Sequence, residues 1–488
     1  MEIELKFQVP AAHRAALRRA VATASARTTR LQAVYADTAG QHLAAAGLAL
    51  RLRKEGRVWV QTLKGRGDGL ASRLEHEVRL PPQAGMPEID AQRHAGTPVG
   101  AALAAALHNA STEGAALQPQ YRTDIARLHR RVRFGGALIE LAFDSGRLLA
   151  GERTAKVCEI EFELISGPPA ALPALAQRWV QRFGLWWDVR TKSERGQRLA
   201  LGTDSVPAVR AQAVVWGTEP GAETVWHAAL QSALAHALPN AAEIADGRST
   251  PEHLHQLRVG LRRLRTALRE LAAWGGQIDE AQALQEAWRG PFTALGAARD
   301  ADVQSAFAPQ LQAAGAPPLT LPAAPSGPDP GDTVRGPEFN ALMLRSLALM
   351  LQQPAPFAQP LPAAARELLR PAWQRLEHDA KAFAAAPVAQ QHRTRKRLKR
   401  LRYVLEFLLP LYGRKPARKL LAAVGKALQA LGDLNDLQTA EAAWRTQALI
   451  DPQAWFAVGW LGARHDQSTA AAARALARLK QAPRIWRA

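Results

Sequence analysis

The hydrophobic period of this 488-residue chain changes part-way along, and no other feature narrows its fold as much. In residues 1–200 apolar side chains recur at every second position in EIELKF (2–7), LALRLRK (48–54), VWVQTLK (58–64), LEHEVRL (74–80), ALIELAFDSG (137–146) and CEIEFELIS (158–166). Period two sends successive side chains to opposite faces of a strand, and tight turns between runs predict antiparallel pairing. EGR at 55–57 and FGG at 134–136 suit hairpin turns. Helical patterns interrupt at about 10–26, 97–108 and 170–183. Residues 203–220 break both patterns and are expected to be a linker. From 221 onward only the helical period remains. A Pro/Gly-rich stretch at 316–337 splits this half and is expected to be an exposed, mobile loop.

The helical half repeats itself. HQLRVGLRRLRTAL at 255–268 matches HRTRKRLKRLRYVL at 392–405, and LGAARDADV at 295–303 matches LGDLNDLQT at 431–439 at nearly the same offset. Two ordered matches imply a duplicated unit, with copies at about 221–312 and 337–485 packed in approximate two-fold symmetry.

Charge adds a second constraint. The chain carries 63 Lys and Arg against 43 Asp and Glu, a formal net charge of +20. Such a surplus attracts a polyanion: nucleic acid, an anionic membrane or polyphosphate. The single cysteine, Cys158, excludes an intrachain disulfide framework and fits a reducing cytoplasm. The opening MEIELKF has no signal-peptide pattern, and no apolar stretch is long enough to span a bilayer, so no membrane partner is expected.

In the strand half the charges fall on one face. Glu2, Glu4 and Lys6 oppose Ile3, Leu5 and Phe7; Arg51 pairs with Arg53, Glu75 with Glu77, and Glu159, Glu161 and Glu163 make a third row. Such rows are either wet outer faces or the wall of a charged tunnel. Basic rows suit phosphate oxygens, and acidic rows suit a hard divalent cation.

The order of these residues along the chain carries a family likeness. E-x-E-x-K (Glu2, Glu4, Lys6) is followed by Tyr35 and Asp37, R-x-R (Arg51, Arg53), T-x-K (Thr62, Lys64) and R-x-E-x-E (Arg73, Glu75, Glu77). Arg122, Asp144, E-x-E-x-E (Glu159, Glu161, Glu163) and Lys192-Ser193 complete the set. On these residues the segment 1–202 resembles CYTH domains, the triphosphate tunnel enzymes. The resemblance implies an α+β domain built on an antiparallel eight-stranded β-tunnel that binds triphosphate with Mg²⁺ or Mn²⁺. It implies that Lys6, Arg51, Arg53, Lys64, Arg73, Arg122 and Lys192 grip phosphate, and that Glu2, Glu4, Glu159 and Glu161 hold metal. The base would be one of Glu2, Glu4, Glu75, Glu77, Asp144 and Glu163. Gln120 departs from the K-x-R pair common in the family, which removes one basic contact.

In the helical half His255, Arg258, Arg262, Arg265 and Arg269 advance by three and four residues, as do His392, Arg395, Lys399 and Arg402, with Arg400 beside them. Each set lies on one helix face next to a leucine stripe of Leu254, Leu257, Leu261, Leu264 and Leu268 in the first copy. With the two LG-x-x-x-D segments ending in Asp300 and Asp436, residues 221–488 resemble CHAD domains. That resemblance implies an all-α domain of two duplicated helical bundles that binds inorganic polyphosphate. Few aromatics interleave the stripe, so nucleic acid ranks below polyphosphate, and no His/Cys cluster points to a zinc site. A tunnel followed by such a domain resembles the bacterial inorganic triphosphatases, which implies cytoplasmic hydrolysis of triphosphate. A polyphosphate-granule binding protein with an idle tunnel, an adenylate cyclase and a thiamine triphosphatase remain alternatives on the same residues.

Overall fold

The computed structural model describes residues 3–66, 73–83, 85–110, 116–217, 220–296, 307–322, 327–353 and 356–487. The chain forms two compact units. One comprises Met1–Val209 with Leu238–His253 and Val334–Gln352; the other comprises Arg210–Ala237, Leu254–Thr333 and Gln353–Ala488.

The first unit is built on one antiparallel sheet. Its strands are β1 (Glu4–Gln8), β2 (Arg27–Asp37), β3 (Ala49–Glu55), β4 (Val58–Arg66), β5 (Arg73–Leu80), β6 (Gln118–Phe134), β7 (Ala137–Ala150), β8 (Arg153–Ser166) and β9 (Trp186–Trp187). The order is β5-β4-β3-β2-β6-β7-β8-β1-β9. The sheet therefore has nine strands where eight were expected; the ninth is a two-residue pairing of Trp186 and Trp187 with Gln8 and Phe7, too short to show as a period. The alternation explains the layering. Leu5, Leu50, Leu52, Leu63, Ile139, Ile160 and Phe162 lie on one face and are at most 1% exposed. That face is covered by helices, as where Trp179 of Ala171–Phe183 packs edge-on against Phe162 at 5.8 Å. The charged residues take the other face.

The expected helix at 10–26 is shorter, a 3-10 turn at Ala11–His13 and a helix at Arg14–Val21, because the chain turns at Thr23–Ala26 to enter β2. Gly56, Gly135 and Gly136 have positive φ at the hairpin turns, where a side chain would strain the backbone.

The second unit is helical. Its main elements include Pro251–Glu270, Leu361–Ala382, Val388–Leu408, Arg414–Gln447 and His465–Arg478. The leucine stripe of the first repeat is buried as the period requires. Arg263, only 2% exposed, bonds Glu406 and donates to Ser232 at 3.0 Å, so a buried ion pair joins the two repeated helices. Helices Pro330–Arg335 and Pro337–Leu351 begin inside the stretch expected to be a mobile loop. Proline at the first helical position starts a helix rather than breaking it. No described helix is long and apolar enough to cross a membrane.

Candidate active site

A cavity of about 980 Å³ lies on the charged face of the sheet, and all eight long strands contribute to its wall. On one side β3 and β4 present cations to β5. Lys64 Nζ lies 2.7 Å from Glu75. Arg51 stands 3.9 Å from Glu75 and 3.8 Å from Glu77, and Arg53 is 3.6 Å from Glu77 and bonds Glu55. The Nε atoms of Arg51 and Arg53 are buried without a hydrogen-bond partner among the described residues. Buried donors of this kind call for an acceptor, and a phosphate oxygen meets the requirement.

The other side is acidic. Strand register puts Glu159 opposite both Gln8 and Asp144, Glu161 opposite Lys6, and Glu163 opposite both Glu4 and Glu140. Oxygens of Asp144, Glu159 and Glu161 lie within 4.8 Å of one another. Lys192, first residue of helix Lys192–Leu201, places Nζ 2.7, 2.5 and 2.6 Å from these three carboxylates. Arg127 forks Asp144 at 2.8 and 2.7 Å and also bonds Glu161, and Arg195 reaches Glu159 at 2.7 Å. Burial works against the Glu161 carboxylate, but Lys192 and Arg127 outweigh it and hold its pKa well below the ordinary range. Burial likewise disfavours the Lys192 ammonium, and Asp144, Glu159 and Glu161 hold its pKa well above. Glu163 moves the other way, pushed up by burial, Glu140 and Glu4. The donor set of the cluster is carboxylate oxygen throughout, which suits a hard divalent ion such as Mg²⁺.

In the helical unit the two basic stripes meet. Lys399 is pushed down to about 6 by burial and by the neighbouring charges of Arg262 and Arg395, with Asp436 opposing and Arg258 adding to the shift. Arg395 lies 4.0 Å from Asp436, and His392 Nδ1 is 2.8 Å from Asn435 Oδ1. Arg258 and Arg265 cover the ring of Phe292 at 4.9 and 5.2 Å. The Nε atoms of Arg265 and Arg395 are buried and unpartnered among the described residues.

Residues 1–185 match the family model of the CYTH domain, and residues 228–445 match that of the CHAD domain. The chain joins a CYTH domain to a CHAD domain. It is 32% identical over 168 residues to an inorganic triphosphatase of Haemophilus influenzae, a match covering 34% of this chain and 44% of that protein. The chain thus spans less than half the length of that relative. Among solved structures, the CHAD domain of the plant Ricinus communis is 27% identical, with 58% of this chain and 99% of that one covered and a TM-score of 0.45. A Hippeastrum protein described as a putative adenylyl cyclase with a dominant triphosphatase activity is 20% identical, with 41% and 96% covered and a TM-score of 0.28.

The CYTH cavity gathers Glu4, Lys6, Arg51, Arg53, Lys64, Glu75, Glu77, Asp144, Glu161, Glu163 and Lys192. Glu159 lies behind them, fully buried. Arg122 does not join them. It is exposed, because β6 turns Thr123, Ile125 and Arg127 inward and Arg122 outward. Arg127 and Arg195 are contacts absent from the sequence expectation; for Arg127, its odd spacing from Arg122 on one strand was the available signal. Glu2 lies outside the described residues, and Arg73 is placed only by its backbone in β5.

The CHAD stripes divide. Arg258, Arg262, Arg395 and Lys399 come together, with His392 close to Arg395 and Lys399. His255 and Arg265 are half-buried on the same helix. Arg269 and Arg400 instead line a separate cavity of about 290 Å³ with Glu270, and Arg402 turns outward to pair with Glu406 at 2.8 Å. Asp300 lies outside the described residues.

Proposed function

We propose that the CYTH tunnel hydrolyses inorganic triphosphate with a divalent cation and that the CHAD domain binds inorganic polyphosphate. The juxtaposition of cationic β3 and β4 with the acidic cluster on β7 and β8, inside one cavity, carries the reading. Arg51, Arg53, Lys64 and Lys6 hold and orient phosphate oxygens. Glu4, Asp144, Glu159 and Glu161 would hold the metal, which when bound supplies charge neutralisation at the reacting phosphoryl group. Glu163, with its raised pKa, is the cavity carboxyl best suited to take a proton from the attacking water. Tyr35 is the single Phe, Tyr or Trp among the described wall residues, and its ring is stacked on Tyr121 at 4.7 Å. A nucleobase would find no free ring there, which favours an inorganic substrate over ATP. In the CHAD domain, crowded arginines and a lysine stripped of its usual basicity favour a polyanion that restores the balance.

The test is phosphate release by the full chain from tripolyphosphate, ATP and thiamine triphosphate, each with Mg²⁺ and with Mn²⁺. Tripolyphosphate should be consumed fastest and only with a divalent ion; no release from any substrate would sink the hydrolase reading. Long-chain polyphosphate should bind with steep salt dependence while tripolyphosphate saturates the tunnel. Tighter binding of duplex DNA at physiological salt would overturn the choice of partner.

A further inference from the structure

We propose that Glu243 and Asp246 are positioning residues for the tunnel, acting through Arg190 and Arg198 to place the Lys192 ammonium. The proposal rests on the hydrolase reading above. Both carboxylates fall within the residues matched by the CHAD model, yet both belong to the compact unit that carries the sheet.

A lysine is a point charge on four flexible carbons, so its place among three carboxylates must be set by the backbone beneath it. The segment before Lys192 is fixed from several sides. Asp188 N donates to Lys6 O at 3.0 Å, and Lys6 Nζ donates to Arg190 O. Trp187 N donates to the buried Asn340 Oδ1 at 2.8 Å. The Arg190 guanidinium forks Asp188 at 2.8 and 2.9 Å, and its remaining nitrogen reaches Asp246 at 2.8 Å and Glu243 at 3.6 Å. Glu243, 3% exposed, also takes a bidentate pair from Arg198 at 2.9 and 2.7 Å. Arg198 lies on the helix that Lys192 begins. Lys192 therefore stands between two arginines that share one carboxylate, and Arg190, Lys192, Arg198 and Glu243 all line the cavity. Neither Glu243 nor Asp246 touches the acidic cluster; their effect passes through the backbone of 190–198.

The experiment is a double-mutant cycle in the full chain. Glu243→Gln and the milder Asp246→Asn, whose side chain is 35% exposed and therefore less costly to the fold than the buried Glu243, are each made with Lys192 present and with Lys192→Gln. The readouts are kcat and KM for tripolyphosphate, and tripolyphosphate affinity by calorimetry in the presence of a chelator. With Lys192 present, each substitution should lower kcat/KM about tenfold or more, the cost of a small misplacement. In the Lys192→Gln background the same substitutions should change little, while long-chain polyphosphate affinity stays constant throughout. Equal losses in both backgrounds would mark a merely structural role and overturn the proposal. If the unaltered chain releases no phosphate, the hydrolase reading fails by itself. The cycle is then decided on tripolyphosphate affinity, where coupling supports the positioning role and additivity removes it.

Discussion

Arg127 spans two strands, forking Asp144 on β7 while bonding Glu161 on β8. Its guanidinium is thus held at the junction of the cationic and acidic halves of the cavity, close enough to Arg53 to act on its charge. Arg127→Gln should lower kcat/KM for tripolyphosphate by about a hundredfold, the scale of a lost charge contact to the transition state. Arg122→Gln, on the outer face, should stay within about twofold. Glu4→Gln should abolish phosphate release yet leave polyphosphate binding unchanged. Lys399 carries a pH prediction with a definite sign. Its pKa falls from 10.5 in the unfolded chain to about 6 in the folded one, so burying the ammonium destabilises the fold. That penalty is complete below about 6 and fades as pH rises towards 10.5. Lys399→Met should therefore raise Tm most at pH 6, by roughly 2–4 °C for each kcal/mol recovered, and progressively less up to pH 10. Polyphosphate favours the ammonium, so binding at pH 8 should take up a proton, measurable by calorimetry in buffers of different ionisation enthalpy.

Among the elements, the helix Lys192–Leu201 depends on one glycine. A Cβ at Gly196 would sit 2.3 Å from the Tyr121 ring, which is itself stacked on Tyr35 and cannot yield. Gly196→Ala should destabilise the fold by about 1–3 kcal/mol. It should also lower kcat by lifting Lys192 from the acidic cluster, as read from denaturant melts and turnover together. The strands β1, β3, β4, β5, β7 and β8 were legible because a charged face and an apolar face alternate without a break. The long strands β2 and β6 were not, since RTTRLQ and RLHRRVRF scatter charge along the strand and blur the period. That blur also hid Arg127 behind the motif residue Arg122. In the helices the leucine stripe showed the buried face directly. Periodicity on one helix could not show where its basic face turns on packing, so Arg269, Arg400 and Arg402 part from Lys399.

At the scale of the whole molecule, the division into compact units does not follow the two family matches. Leu238–His253 lies in the CHAD match but packs with the sheet-bearing unit, and the unit boundary falls beside Pro239, inside helix Ala222–Ala245. Proline there lacks the amide that would bond the preceding turn, which makes it a natural place for a helix to change allegiance. The cluster of Asp144, Glu159 and Glu161 has a different consequence. Its three acids are matched by Lys192, Arg127 and Arg195 from the same chain. A buried site filled only with carboxylates would make folding hostage to the supply of metal. This one carries its own counter-ions, so in EDTA the chain should still fold and melt cooperatively, Mg²⁺ should raise Tm only by what mass action on the folded state supplies, and Lys192→Gln should make that rise larger. On the metal-dependent reading proposed above, such a chain can be synthesised, closed and stored while divalent ions are scarce, its turnover waiting on their arrival.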